Sequence, residues 1–284
     1  MLRDDIKLLK VFEITLTYYE VTKELVKKLK LEGEVKFLVQ YPLKNLMKEA
    51  VFANNSLVEG LLVKRTEEGV FIYADKMLYK FPDDASEMFS DCGVLDLDLS
   101  NFDTSNVINM DSMFEGVGAV GDDYSTLLDS ELNLSSFDTS NVVSMWNMFH
   151  LCSAEIIGLN LFDTSQVDDM GCMFRSYLYE GTLDLSGFNT SNVGSMASMF
   201  DRCRARKLIL SSFDTSNVAI MESMFAECEV VNLDISNFKL DSLENADSMF
   251  FSCKAKNIVL GEFKIPDDCS CVDIFEDSVL KGRI

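Results

Sequence analysis

The chain has 284 residues, 48% of them hydrophobic, and a formal net charge of −22. That is enough apolar material for a sizeable core, which excludes compositional disorder, and no apolar run approaches the ~18–20 residues of a membrane-spanning helix. The acidic excess excludes direct binding to a nucleic-acid backbone, which needs Lys and Arg to displace counterions.

In chain order, residues 1–84 read as a small α/β region. Val11 to Tyr18 predicts a strand, and Glu20 to Lys30 a helix with Val21, Leu25, Val26 and Leu29 on one face. Val35 to Tyr41 predicts a second strand and Leu43 to Phe52 a second helix. Leu57 to Lys64 and Val70 to Tyr73, joined through Glu67-Glu68-Gly69, predict a hairpin. Such a region would seal the open end of a repeat array, with a partner or dimerisation module as the alternative.

From Ala85 to the end the chain repeats. Phe-Asp-Thr-Ser-Asn-Val, followed by Met-x-x-Met-Phe, recurs from Phe102, Phe137, Phe162, Phe188, Phe213, Phe238 and Phe263, in steps of 35, 25, 26, 25, 25 and 25 residues. A unit this short cannot bury its own apolar face, so the period predicts a solenoid of stacked coils. Before each Phe, pairs such as Leu97/Leu99, Leu132/Leu134, Ile157/Leu159 and Leu183/Leu185 alternate with polar residues as a half-buried strand does. Asp103-Thr104-Ser105-Asn106 and its equivalents then supply turn and cap chemistry. Val107, Met110, Met113 and Phe114, at spacings of three and four, predict one face of a short helix. Each coil is therefore expected to run strand, turn, helix, loop.

The 35-residue step holds an insertion near 115–130 with Asp122, Asp123 and Tyr124, which would bulge from one face as a loop contact. The two adjacent acids lack the spaced ligands of a calcium loop. Cys92, Cys152, Cys203, Cys228 and Cys253 share one slot with Val117 and Tyr177, predicting a file of buried free thiols. Cys269-x-Cys271 and a single His give no zinc spacing. Neither metal nor cofactor is expected. Residues 262–284 diverge as a terminal cap does.

The motif Leu-x-Leu-Ser-x-Phe-Asp-Thr-Ser-Asn-Val-x-x-Met-x-x-Met-Phe-x-x-Cys resembles the BspA-type leucine-rich repeat of bacterial surface proteins and lipoproteins, mycoplasmal ones included. The resemblance covers about two thirds of the chain, Ala85 to Ile274. It implies an α/β repeat solenoid, a leucine-rich-repeat-like stack of strand-turn-helix coils, and a role in binding macromolecules, often adhesion, with no catalytic residue. The last copies depart from it, since Phe238 is followed by Lys-Leu-Asp-Ser-Leu and Phe263 by Lys-Ile-Pro-Asp-Asp.

The expected function is a non-enzymatic protein-binding scaffold. Residues 1–87 are nearly neutral whereas 88–284 carry net −21, so the partner should present a basic surface. The expected contacts are the outward strand positions Asp96, Asp98, Glu131, Asn133, Thr182, Asp184, Lys207, Ile209 and Asp234, with Ile156 and Gly158 on the same face. Trp146 is a candidate anchor. Two alternatives keep the scaffold: an intracellular inhibitor, of immunity or anti-defence type, that fills a basic nucleic-acid channel, and a surface adhesin. Met1 is followed by Leu2-Arg3-Asp4-Asp5 with no apolar run of signal length, which predicts a cytoplasmic location, or the cell surface if an export signal has been trimmed.

Overall fold

The computed structural model describes residues 18–20, 35–39, 55–58, 61–66, 69–74, 78–91, 99–100, 102–120, 124, 126–127 and 130–280. The first of these build two sheets. β2 (Val35–Val39), β3 (Asn55–Val58), β4 (Leu61–Thr66) and β5 (Gly69–Ala74) form a four-stranded sheet in the order β2-β5-β4-β3, with β2 parallel to β5 and the rest antiparallel. The predicted 57–73 hairpin is there, with Thr66 paired to Gly69 at its end. Its first arm is itself folded back into β3 and β4. Glu20, the first residue of the predicted 20–30 helix, ends a strand instead; the rest of that helix, the predicted 43–52 helix and most of the 11–18 strand lie outside the described residues.

The second sheet ties this region to the repeats. β1 (Tyr18–Glu20), β6 (Leu78–Lys80) and β7 (Phe102–Asp103) run parallel in that order. Phe81 stacks on Phe102 at 4.4 Å between centroids.

From there the coils stack in parallel. β10 (Glu131–Asn133) pairs with β11 (Glu155–Ile157), and β12 (Thr182–Asp184), β13 (Lys207–Ile209), β14 (Asn232–Asp234) and β15 (Asn257–Val259) form a four-stranded parallel sheet in sequence order. A second ladder of single parallel bridges runs through Asp84, Asn109, Ser144, Asp169, Ser195, Ile220, Asn245 and Ser270.

The predicted helices in the coils are not formed. Met113 N–H bonds Met110 O, Glu115 N–H bonds Ser112 O, and Val117 N–H bonds Phe114 O, which is a run of overlapping β-turns. The alternate N–H groups of Met110, Ser112, Phe114 and Gly116 reach across to Ser144, Trp146, Met148 and His150 of the next coil. A helix would satisfy all of these groups internally; here half of them hold the coils together. The third residue of such turns takes positive φ, as at Ser112 (52°), Asn147 (60°), Ser198 (54°) and Ser223 (54°), the geometry of a type II turn. The single short helix among the described residues is the 3₁₀ turn Leu159–Leu161.

The core is nonetheless the one the spacing points to. Val107, Met110, Met113, Phe114 and their equivalents are buried in every inner coil. Phe89, Phe114, Phe149, Phe174, Phe200, Phe225, Phe250 and Phe275 form a column of rings, neighbouring centroids 5.4–5.8 Å apart and planes within 17°.

Buried threonines staple the coils. Thr164 Oγ1 donates to Asn189 O and accepts from Asn189 N–H, both at 2.8 Å, and Thr104, Thr190 and Thr215 make the same pair of bonds to Asp138, Asp214 and Lys239. The next copy has Leu240 in this slot, and the staple stops there.

The thiols of Cys152, Cys203, Cys228 and Cys253 are free and buried, with Tyr177 in the same file. Burial pushes Cys152 and Cys253 up to about 12. Only Cys271 is exposed among the described cysteines. A thiol reagent at pH 8 should therefore modify Cys271 in the native protein and this buried file only on unfolding, as peptide mapping by mass would show.

Candidate functional site

Within β10 and β12–β14 the central residue, Leu132, Leu183, Leu208 or Leu233, is buried, so its two neighbours point outward. The register places Thr182, Lys207, Asn232 and Asn257 in one file. Asp184 lies opposite Ile209, and Asp234 opposite Val259, in the other. Of the expected contact residues, Glu131, Asn133, Thr182, Lys207 and Asp234 are exposed, and Asp184 and Ile209 are half-buried. Asp96, Asp98, Asp122 and Asp123 lie outside the described residues.

One coil departs from the expected facing. Ile156 lies opposite the buried Leu132, so Glu155 and Ile157 take the outward positions. Gly158, at φ 94°, then absorbs one residue so that Leu159 returns to the core. A Cβ at Gly158 would stand 2.7 Å from the Ser135 backbone. Sequence periodicity alone places Ile157 inside, because the shift is made by one left-handed glycine.

The recurring turn aspartates serve their own turns. Oδ1 of Asp103 accepts the Ser105 N–H at 3.0 Å and its hydroxyl at 2.6 Å, and Asp138 holds Ser140 in the same way. The Ser165 and Ser216 hydroxyls and N–H groups hold Asp163 and Asp214 below the usual carboxylate range. Asp184 and Asp234 on the strand face each give one oxygen to the N–H of Ser186 and Ser236 at 3.0 Å.

Three arginines of the array, Arg175, Arg202 and Arg206, are paired with acids inside it. Asp201, 5% exposed, takes Arg175 at 3.0 Å and Arg202 at 3.4 Å. Burial outweighs both guanidiniums and raises its pKa. Arg202 also reaches Glu227 at 2.6 Å, and Arg206 reaches Glu180 at 2.8 Å.

The insertion folds as a small antiparallel pair, β8 (Ala119–Val120) with β9 (Thr126–Leu127). Tyr124 donates its hydroxyl to Asp91 at 2.8 Å, which raises the phenol to about 12. Tyr124 and Leu127 help to line an open cleft of about 620 Å³, with Leu151, Leu178, Arg204 and Lys254. At the base of the insertion Glu115 binds the His150 ring at 2.9 Å. That bond, against the opposing effect of burial, holds Glu115 below the usual carboxylate range. A depressed carboxylate stabilises the fold above its unfolded pKa of about 4.3, and that contribution disappears as pH falls through the folded value. Glu115→Gln should therefore lower Tm at pH 7 and by progressively less as pH falls through the folded value, measured by thermal unfolding across the acid range.

Trp146 lies in a turn rather than on a helix. It is 44% exposed, and Cδ1 of its indole is 3.1 Å from where a Cβ of Gly171 would stand, so the ring lies across the next coil's glycine. One slot down the stack holds Asp111, Trp146, Gly171, Ala197 and Glu222 in successive coils, so the indole has an acid on one side and a glycine on the other.

A family model described as "Mycoplasma protein of unknown function, DUF285" matches residues 83–205 and 176–280. The chain belongs to this family. Its two matched segments together cover the array from the first bridge residues to the last coil, so the family unit is the coil stack and not the region before it. No curated protein and no solved structure matches the chain. Among the described residues no group of His, Cys, Asp and Glu is placed to hold a metal ion, and no helix is long and apolar enough to cross a membrane.

Proposed function

We propose that this protein is a non-enzymatic scaffold that binds a partner protein through the outward strand face and the acidic surface of the coil stack. The observation that carries this reading is the register. Inter-coil hydrogen bonds, threonine staples and the ring column fix Thr182, Lys207, Asn232 and Asn257 one strand spacing apart, ~4.8 Å, in an exposed file. Such a row loses little conformational freedom on binding, which favours recognition of an extended surface. The likeness to BspA-type surface repeats points the same way, toward adhesion or another binding role.

Glu131→Gln, Asp184→Asn and Asp234→Asn together test it, because each change removes charge with little change of shape, and the two Asn keep an acceptor oxygen for the Ser186 and Ser236 N–H groups. The triple variant should lose at least tenfold in affinity for the partner captured by the wild-type protein, with the loss shrinking in high salt. Unchanged binding would move the contact off the strand face.

A further inference from the structure

We propose that the shelf around Trp146 is a receptor for an arginine side chain carried by an extended basic segment of a partner protein. Val143 (39% exposed) and Ile108 (46%) lie on two successive coils joined by the Val143 N–H to Ile108 O bond, and the exposed Trp146 (44%) follows Val143 by three residues in the same coil. Gly171 clears the space beside the indole on the next coil.

Carboxylates bracket the ring. Asp111 Oδ1 accepts the Ser144 hydroxyl at 2.5 Å and the Trp146 N–H at 2.9 Å, and Asp169 Oδ1 accepts the Gly171 N–H at 2.8 Å. Both side chains are thus held in place, and among the described residues neither Oδ2 accepts a hydrogen bond. Asp168 adds a third, exposed carboxylate.

The charge of this flank selects the occupant. Residues 103–112, 138–147, 163–172, 189–198 and 214–223, which form it on five successive coils, contain no Lys, Arg or His, and all but 189–198 carry at least one Asp or Glu. An aromatic face beside carboxylates attracts a cation, and a planar guanidinium can stack on the indole while bonding a carboxylate at its edge. The aliphatic stem of the same side chain suits the exposed apolar Val143 and Ile108. The shelf is on a different flank from the strand files, so its test is separable from theirs.

Trp146 is the one tryptophan of the chain, so its fluorescence reports the site directly. The probe is a synthetic Arg-Val-Arg-Val-Arg peptide, titrated into the full-length protein, with citrulline replacing arginine as the neutral control and lysine as a second cation. The expected result is a saturable change in Trp146 emission, with the citrulline peptide binding roughly tenfold weaker or more and the lysine peptide in between. By anisotropy of a labelled arginine peptide, Trp146→Ala and Asp169→Asn should each lose about fivefold or more while keeping the wild-type Tm. Equal binding of the citrulline peptide would overturn the proposal, as would full binding to a folded Trp146→Ala variant. So would an equal loss from the strand-face variant Glu131→Gln/Asp184→Asn/Asp234→Asn, which would mean diffuse attraction to an acidic body.

Discussion

Phe174→Ala is expected to destabilise the protein by about 3–5 kcal/mol, read as a lower urea midpoint. The ring is fully buried and stacked between Phe149 at 5.4 Å and Phe200 at 5.8 Å, with Tyr177 against its edge at 5.8 Å. Truncation would remove contacts to the coil before, the coil after and its own coil at once. Backbone bonds such as Phe149 N–H to Met173 O and Phe174 N–H to Met199 O run beside the column and fix the coil spacing, so the cavity cannot collapse. In a stack held by nearest-neighbour contacts the cost depends on position. Phe275, the last ring, has a neighbour at 5.6 Å on one side and is half-buried; its replacement by Ala should cost less than half as much. Equal effects at the two sites would show that the column is not a cooperative feature of the interior.

Thr164→Val should cost about 1–3 kcal/mol although it preserves shape. The Thr164 hydroxyl is fully buried and both donates to and accepts from the Asn189 backbone at 2.8 Å. Valine fills the same space but leaves that N–H and carbonyl without their partner in an apolar setting, which is the expensive case. Thr164→Ser, which keeps the hydroxyl, should recover most of the loss. The Leu240 slot, where the chain already carries an aliphatic side chain, shows the limit of the device. The last staple is the one from Thr215 to Lys239.

Much of this architecture is legible from spacing. The period, the inward Leu, Met and Phe positions and the buried Cys slot all come from residue types recurring at fixed offsets, because burial selects for side chain and not for backbone conformation. For the same reason spacing mispredicts the coil helices. Val107, Met110, Met113 and Phe114 face inward at intervals of three and four whether the backbone is a helix or a run of overlapping turns. What separates the two is where the alternate N–H groups go, and in this protein they cross to the next coil. The signal available is the small polar residue at the positive-φ slot, Ser112, Asn147, Ser198, Ser223 and Ser248, which suits a turn better than a helix interior. On the candidate site, alternation correctly turns Thr182, Lys207 and Asp234 outward, and fails at Ile156 because one glycine shifts the register. The Trp146 shelf is visible in the sequence only as an isolated aromatic, since its partners Asp111 and Gly171 are distant along the chain and meet through stacking.

Site-specific photo-crosslinking tests the central claim most directly. A benzophenone side chain placed at Thr182 or Asn232, both exposed in the outward file, and at the exposed Glu229 in the cleft as a control, would be irradiated in lysate and surface fractions of cells that make the protein naturally. A protein-binding strand face predicts one shared adduct from Thr182 and Asn232, absent from Glu229 and weakened by the Glu131, Asp184 and Asp234 charge changes. Adducts from Glu229 alone, or none from the strand positions while the partner is still captured, would contradict it.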